Sequence, residues 1–510
     1  MSEPRRRVLL VNPTITKPRH ARFPLAVLSL ATALEADGRY AAHIVDGNVD
    51  ERFVDNSLRL IADGAIEAVG VTVMGGPQVP TAVAVSAAIR ARYPALPIVW
   101  GGYFPTLCPE TALAAPYVDY VVRGQGEVAL RELLEAVLSA GRDDAVLATI
   151  DGLSWRRTDG EVAHNRDRAL STAPLAVRLP YDRLENPGQY LVRTYLGRRT
   201  LGYQAALGCR YRCTFCGVAA MFGGKTGLPP HARVEQDLTS LRDRYGADAI
   251  QFYDHNFFDR EADTVPLLEV LARLQLPWWC YARSDALVNL SPAAWQLVRK
   301  SRLRMAYIGA ESPSDAMLHD VRKGTRSNQT LEAVEVCHRQ GVTPELSFMV
   351  APPHDPEGET ERTFEFIRSI KREYPSTEIM IYVYTPLPPQ RAGANVRVTR
   401  TPLDLRDTLG RPVVFPATPA QWSEPRWVDY WCHHDAPWLS RRLHRRIVDF
   451  TTVLGCRFPT VTDIRSPPWG KRWLRTLAAW RYRSGRYERP WELDLSRKFI
   501  RLHDPRASSL

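Results

Sequence analysis

Three cysteines within eight residues constrain this chain more than any other feature. They are Cys209, Cys213 and Cys216, spaced C-x3-C-x2-C, and Gly208 before them allows a tight turn. Thiolates are soft ligands that suit zinc or an iron–sulfur cluster. A structural zinc site takes four protein ligands, commonly from two separated C-x2-C pairs, and the sequence has no second pair. Because three thiols leave one iron of a 4Fe–4S cube open, the spacing predicts a cluster that can bind a substrate.

The segment Cys209–Cys216, with the aromatic Phe215 just before its last cysteine, resembles the radical S-adenosylmethionine (radical SAM) superfamily. The resemblance implies that the three cysteines hold a catalytic 4Fe–4S cluster and that S-adenosylmethionine binds at the open iron. It also implies an electron-donating partner such as flavodoxin or ferredoxin, since the cluster acts in its reduced form.

Composition and charge limit the classes of protein to which this chain can belong. The 510 residues are 45% hydrophobic, which predicts a globular protein of two to four domains. No apolar run approaches the roughly 18 residues of a membrane span, so we expect a cytoplasmic protein. Residues 391–510 carry 23 Lys and Arg against 11 Asp and Glu, while the whole chain has a net charge of +11. This basic segment suits a phosphorylated substrate or an acidic carrier, or is a solvated face; we expect no nucleic-acid partner.

Residues 1–140 alternate Val- and Ile-rich runs with helical patterns. The predicted strands are 8–11, 43–46, 68–73, 97–100 and 117–122, and the predicted helices are 25–36, 81–92 and 128–138. This alternation predicts a parallel sheet with helices on both faces. Such sheets bind ligands at the carboxyl ends of their strands. Here those ends carry Gly75-Gly76, Gly101-Gly102 and Gly124-Gln125-Gly126-Glu127.

The stretches 97–102 and 119–127 are similar to the cobalamin-binding domain of cobalamin-dependent radical SAM enzymes. The resemblance implies that cobalamin binds at the strand ends, beside Gly101, Gly102, Gly124, Gly126 and Glu127. The fingerprint G-x-G-x-x-G is missing after the first strand, which argues against a dinucleotide. The motif D-x-H-x-x-G, whose histidine ligates cobalt in other cobalamin proteins, is missing too. The resemblance therefore implies cobalamin without a histidine below the cobalt.

Residues 141–197 are predicted to be a connector with one hairpin at Asp159-Gly160, and residues 198–390 contain six further strands with intervening helices. The second region matches the partial barrel of six β/α units found in radical SAM enzymes. By that resemblance the S-adenosylmethionine pocket is lined by Phe215, Asp254, Arg283, Ser284, Gly309 and Glu311. Taken alone, Asp254 could cap a helix, Arg283 could form a salt bridge, and Glu311 could be an exposed carboxylate.

Residues 391–510 are predicted to form a basic, Trp-rich helical domain with eight of the 13 tryptophans. Helices are expected at 439–453 and 471–482, and Trp473 and Trp480 share one helical face. One interpretation is a helical cap whose tryptophans pack on the barrel. The other is a mouth for an anionic or carrier-bound substrate, since Arg pairs with such groups and Trp stacks on flat apolar parts.

The expected fold is α/β: a doubly wound parallel-sheet cobalamin-binding domain, a partial (β/α)6 radical SAM barrel and a helical C-terminal domain. The resemblance implies a methyltransferase, in which a deoxyadenosyl radical activates an unactivated carbon of a small-molecule substrate and methylcobalamin supplies the methyl group. Two alternatives stay open. One uses the same radical for ring closure, rearrangement or oxidation without methyl transfer. The other is a non-catalytic cobalamin sensor, against which the intact cysteines count.

Overall fold

The computed structural model describes residues 5–139, 141–389, 404–464, 466–500 and 502. The first domain is a parallel sheet in the order β2-β1-β3-β4-β5 with helices on both faces. Its elements are β1 (Arg6–Asn12), α1 (Leu25–Glu35), β2 (Tyr40–Asp46), α2 (Phe53–Gly64), β3 (Ile66–Thr72), α3 (Gln78–Arg92), β4 (Ile98–Gly101), α4 (Tyr103–Leu107), α5 (Pro109–Leu113), β5 (Tyr120–Val122) and α6 (Gly126–Ser139). The predicted doubly wound sheet is thereby confirmed.

The hairpin predicted in the connector lengthens this sheet. After α7 (Asp144–Leu147), β6 (Leu153–Arg156) pairs antiparallel with β5, and β7 (Val162–His164) pairs antiparallel with β6. The segment that the sequence assigned to a connector therefore begins with two edge strands of the first domain. Tertiary packing explains this pairing, because Trp155 on β6 is 1% exposed and belongs to the same hydrophobic core as Tyr120 and Val122 of β5.

The barrel has six parallel strands in chain order, as predicted. Its elements are β8 (Thr200–Tyr203), β9 (Leu207–Gly208), α8 (Val218–Phe222), β10 (Thr226–Gly227), α9 (His231–Tyr245), β11 (Ala249–Phe252), α10 (Glu261–Leu274), β12 (Trp278–Ala282), α11 (Ser284–Val288), α12 (Pro292–Lys300), β13 (Leu303–Glu311), α13 (Asp315–Asp320), α14 (Ser327–Arg339), β14 (Thr343–Val350), α15 (Pro356–Glu373) and β15 (Glu378–Val383). The short strands β9 and β10 form a separate antiparallel pair beside the six.

Local chemistry fixes where the barrel helices begin and end. Ser291 caps α12 by accepting a hydrogen bond from the backbone N–H of Ala294, and Pro292 occupies the first helical position. Gly246 ends α9 in the left-handed conformation at φ +70°. Asp355 caps α15 through the N–H of Gly358. These caps hold the helices so that each returns the chain to the same edge of the sheet.

The C-terminal region is helical, with α16 (Pro419–Trp422), α17 (Pro425–Trp431), α18 (Arg441–Arg457), α19 (Pro468–Ser484) and α20 (Trp491–Arg497). Helix α18 packs on α15, where the rings of Phe450 and Phe364 stack with centroids 3.7 Å apart. Among the described residues, no helix is both long and apolar enough to cross a membrane.

The tryptophans of this region divide into two groups. Trp422, Trp427 and Trp438 are buried. Trp438 donates to the carbonyl of Ala351 in the barrel at 2.9 Å, as the cap interpretation predicts, whereas Trp422 packs on Phe104 of the first domain. For Trp473 and Trp480 the cap interpretation is wrong, because each is 57% exposed. The other face of α19 turns inward instead, with Leu474 and Ala478 fully buried.

Candidate functional site

The cysteine loop follows β8 at the carboxyl edge of the barrel sheet. Gly208, at φ +83°, lies against the carbonyl of Lys225 where β9 and β10 pair, so a side chain there would collide with backbone. The N–H of Thr214 donates to the carbonyl of Val321 at 2.9 Å, which fixes the middle of the loop to the segment after α13. The three thiols are therefore presented by a loop held at both its start and its centre.

None of the three thiols is in a disulfide; Cys213 is buried, and Cys209 and Cys216 are half-buried. Burial raises the pKa of all three, to about 12 for Cys216, while Lys323 and Arg283 act in the opposite direction on Cys213. Cationic side chains beside the loop favour the thiolate form that a metal centre needs.

The donor set fits a cluster better than a single ion. In the described part of the chain, no three His, Cys, Asp or Glu side chains converge closely enough to hold one metal ion. A structural zinc site takes four protein ligands, one more than the three thiols of this loop. Thiols that each ligate a different iron of one cube stand further apart, and the loop supplies three of them.

The end of β13 carries a strained glutamate in a buried ion pair. Glu311 has a φ of +63° and follows a register shift after Gly309. Its carboxylate accepts a 2.7 Å bond from the ammonium of Lys323, and the two side chains are 9% and 8% exposed. An added Cβ on Gly309 would lie 2.6 Å from that ammonium, so a side chain there would displace the ion pair. Lys323 also lies 6.0 Å from the centroid of the Phe215 ring, which connects the pair to the cysteine loop.

Arg283 ties three segments of the site together. Its guanidinium lies 3.5 Å from the centroid of the Tyr211 ring, inside the cysteine loop. It also pairs with both carboxylate oxygens of Asp285, at 3.0 and 3.1 Å, and donates to the carbonyl of Lys323 at 2.8 Å. The next residue, Ser284, is fully buried, and its hydroxyl has no partner among the described residues. An unpaired buried hydroxyl at this position suits a bound ligand.

Asp254 is directed toward the backbone that leads into the loop. Its carboxylate accepts a 3.0 Å bond from the N–H of Ala205 and another from Ala206. Burial raises the pKa of Asp254 to about 7, against the opposing effect of these bonds. Asp254 therefore positions the strand-to-loop turn.

A cavity of about 540 Å³ lies between the first domain and the barrel. All five residues predicted to contact cobalamin line it: Gly101, Gly102, Gly124, Gly126 and Glu127. From the barrel, its wall is formed by residues 204–207 before the cysteines and by Val218, Met221 and Phe222 of α8 after them. The cavity is thus bounded on one side by both arms of the cysteine loop.

Glycine permits this close approach of the two domains. Gly124 has a φ of +69°, and an added Cβ would lie 2.9 Å from the carbonyl oxygen of Met221. On the barrel side, the N–H of Gly217 donates to the hydroxyl of Tyr103 at 2.8 Å. The glycines at Gly75-Gly76 have another role, since the Trp431 ring of α17 packs directly on Gly75 and neither glycine lines the cavity.

Lys323, Tyr211 and His255 belong to the site but were not predicted from the sequence. His255 reaches the cavity wall from the barrel, and its imidazole bonds to the backbone of Gly208. Its Nδ1 is buried without a partner among the described residues, and burial lowers the pKa of His255 to about 4. For Lys323 the only available signal was its place twelve residues after Glu311, in Lys-Gly-Thr.

Two family descriptions match the chain: the B12 binding domain over residues 13–134 and the Radical SAM superfamily over residues 203–367. They confirm the predicted cofactors, which are cobalamin in the first domain and a 4Fe–4S cluster with S-adenosylmethionine in the barrel.

Three similar proteins illustrate the range of relatives. The chain is 28% identical over 286 residues to an uncharacterized methyltransferase of Pyrococcus horikoshii, covering 54% of this chain and 59% of that protein. It is 24% identical over 308 residues to an anaerobic magnesium-protoporphyrin IX monomethyl ester cyclase of Synechocystis, covering 58% of each. The chain thus spans less than two thirds of both. The structure of TsrM, a radical S-adenosylmethionine methyltransferase from Kitasatospora setae, aligns over 93% of this chain and 99% of TsrM, with a TM-score of 0.60 and 19% identity, which establishes a shared fold.

Proposed function

Because this chain joins a B12 binding domain to a radical SAM domain and so belongs to the cobalamin-dependent radical SAM family, we propose that it methylates an unactivated carbon of a small-molecule substrate. When bound, the cofactors supply a carbon radical and a methyl group. A flavodoxin or ferredoxin is the proposed electron donor.

The observation that carries this proposal is the shared wall of the 540 Å³ cavity. The first domain's glycine-lined strand ends form one side, and the segments just before and after the three cysteines form the other. A methyl donor held there lies beside the loop that holds the radical source, as transfer to a carbon radical requires.

The surrounding side chains have distinct proposed roles. Cys209, Cys213 and Cys216 ligate the cluster, and Arg283 and Lys323 balance its charge from nearby. Phe215, Ser284, Gly309 and Glu311 border the S-adenosylmethionine pocket, and Ser284 offers its unpaired hydroxyl. Asp254 is a positioning residue, because its carboxylate is occupied by backbone N–H groups.

A second candidate is radical chemistry without methyl transfer, which the cyclase among the relatives favours. Carbon-14 in the methyl group of S-adenosylmethionine separates the two candidates. The methyltransferase proposal predicts that label accumulates on protein-bound cobalamin under reducing conditions, even without substrate. The cyclase alternative predicts release of unlabelled deoxyadenosine with no label on the protein.

The cluster assignment has its own test. Anaerobic reconstitution should load about four iron and four sulfide per chain. Replacing Cys209, Cys213 and Cys216 together with Ala should abolish deoxyadenosine formation and leave cobalamin bound. Cys432→Ala, at another half-buried free cysteine, should keep the full iron content. Tight zinc binding without iron in the unaltered protein would contradict the assignment.

A further inference from the structure

A second cavity, of about 670 Å³, lies where the last turns of α15 and α18 meet the second half of α19. We call it the basic cavity, because six cations line it: Arg368, Lys371, Arg372, Arg457, Arg475 and Arg483. No Asp or Glu is among the described residues of its wall. Half of these cations lie on α15 of the barrel, and the other half lie on α18 and α19 of the basic C-terminal region.

These cations have little internal compensation. None of the five arginines has a carboxylate within salt-bridge distance among the described residues. The buried ammonium of Lys371 donates to the carbonyls of Pro375, at 3.0 Å, and Thr377, and Glu378 is its one carboxylate neighbour among the described residues. Burial lowers the pKa of Arg457, and repulsion from Arg475 and Arg483 lowers it further. Like charges around one space repel one another, which favours the binding of an anion there.

Two buried donors at the wall are also unsatisfied. The Nε of Arg457 and the hydroxyl of Tyr482 have no hydrogen-bond partner among the described residues. A buried donor left unpaired is destabilising, so native proteins rarely keep two at one place. Both belong to residues that line the basic cavity, where a ligand oxygen can accept from them.

The C-terminal ends of the helices neutralise only part of the positive charge of the basic cavity. Each helix C-terminus carries roughly half a negative charge, so the three helices together offset about 1.5 of the six positive charges. A single phosphate group, at about two negative charges, leaves an excess as well. Arg372, Arg475 and Arg483 are exposed and partly screened by solvent, but a ligand with more than one phosphate group can still pair with more of the six cations than a single phosphate can.

We propose that the basic cavity binds an anion that carries at least two phosphate groups. Arginine forks match phosphate oxygens in pairs, and Tyr482 adds one neutral donor. The site is separate from the cofactor site, since helices of a β/α barrel end at the amino edge of the strands and the cysteine loop leaves the carboxyl edge. The proposal stands independently of the proposed methyl transfer.

The test is calorimetric titration of the full chain with pyrophosphate at moderate salt. We expect saturable binding of one pyrophosphate per chain. Arg475→Glu should weaken it about ten-fold or more, because a charged hydrogen bond is lost and a repulsion added. Arg472→Glu is the matched control, since Arg472 is an exposed arginine of the same helix outside the cavity, and should leave the affinity unchanged.

Tyr482→Phe provides a variant that removes one buried oxygen without changing charge, and it should weaken binding several-fold. Pyrophosphate should also raise the unfolding temperature of the unaltered protein. The proposal would be overturned if no pyrophosphate bound. It would also be overturned if binding did not saturate and Arg475→Glu and Arg472→Glu reduced it equally. Inorganic phosphate binding as tightly as pyrophosphate would overturn the two-phosphate requirement. If a single-stranded oligonucleotide binds more tightly than pyrophosphate, and Arg475→Glu abolishes that binding, the ligand is a nucleic acid and not a small anion.

Discussion

The buried ion pair between Lys323 and Glu311 permits a quantitative prediction. Its charged atoms are 2.7 Å apart, and both side chains are less than 10% exposed. At an effective dielectric constant of 20, charges at this distance attract by about 6 kcal/mol before desolvation is subtracted. Lys323→Met keeps the length of the side chain and removes its charge. Because a buried carboxylate is then left without a partner, we expect a loss of about 3–5 kcal/mol.

The assay should follow β13 itself, because a chain of several domains has no single free energy of unfolding. Hydrogen exchange of peptides from β13, read by mass spectrometry, gives the free energy of opening at that strand. The matched control is Arg339→Met, which breaks the ion pair with Glu335 at 3.0 Å, where the side chains are 61% and 51% exposed. Exposed pairs contribute less than about 1 kcal/mol, so this variant should leave β13 unchanged.

A double-mutant cycle completes the test. Lys323→Met combined with Glu311→Gln should lose less than the sum of the two single variants, because the second change removes the unpaired charge. If Lys323→Met lowers the opening free energy of β13 by less than about 1 kcal/mol, the reasoning about uncompensated charge is refuted. Strict additivity in the cycle would refute the coupling across the 2.7 Å contact.

Three further predictions concern the domain junction, the turn before the cysteines and the cobalt. The Gly124→Ala variant should lose cobalamin on gel filtration, because the added Cβ would meet the Met221 carbonyl at 2.9 Å. The control is Gly341→Ala, where φ is +72° and nothing lies within 4 Å of the added Cβ. This control should keep cobalamin and lose only about 1–2 kcal/mol of stability through backbone strain. Burial raises the pKa of Asp254 to about 7 from 3.8, so the folded state retains a proton that the unfolded chain releases. Stability should therefore fall by about 1.4 kcal/mol per unit from about pH 4 to pH 7 and level off above, and Asp254→Asn should abolish this slope in hydrogen exchange; equal slopes would disprove it. Electron paramagnetic resonance of the Co(II) protein should show no axial nitrogen splitting, and a splitting that disappears in His255→Ala would contradict this and identify the ligand.

The sequence predicted the strands of both sheets because continuous Val and Ile runs between helical patterns are a local signal. The helix α2 was missed, although Phe53, Ser57 and Ile61 recur at helical spacing and are buried. The hairpin of β6 and β7 was found from its turn, but its pairing with β5 was not. Edge pairing depends on contacts distant in sequence, which no local pattern encodes.

The site shows the same division between local and distant information. The cysteine spacing alone indicated the cluster, since all three ligands lie on one loop. Tyr211 and Arg283 are 72 positions apart, and only the return of β12 beside the loop brings guanidinium and ring together. His255 lies on the barrel, outside the domain predicted to bind cobalamin, yet its side chain lines the cavity between the two domains.

The strand-end glycines show what such a signal can and cannot specify. A glycine there indicates that something approaches the backbone closely. Gly101 and Gly102 line the cavity between the domains, but an added Cβ on Gly102 would also meet the backbone of Val73 at 3.1 Å, and one on Gly124 would meet the carbonyl of Met221 at 2.9 Å. At Gly75 it is the ring of Trp431 from the C-terminal region. The residues look alike in the sequence, and only the tertiary arrangement decides which of them line the cavity and which pack against another part of the protein.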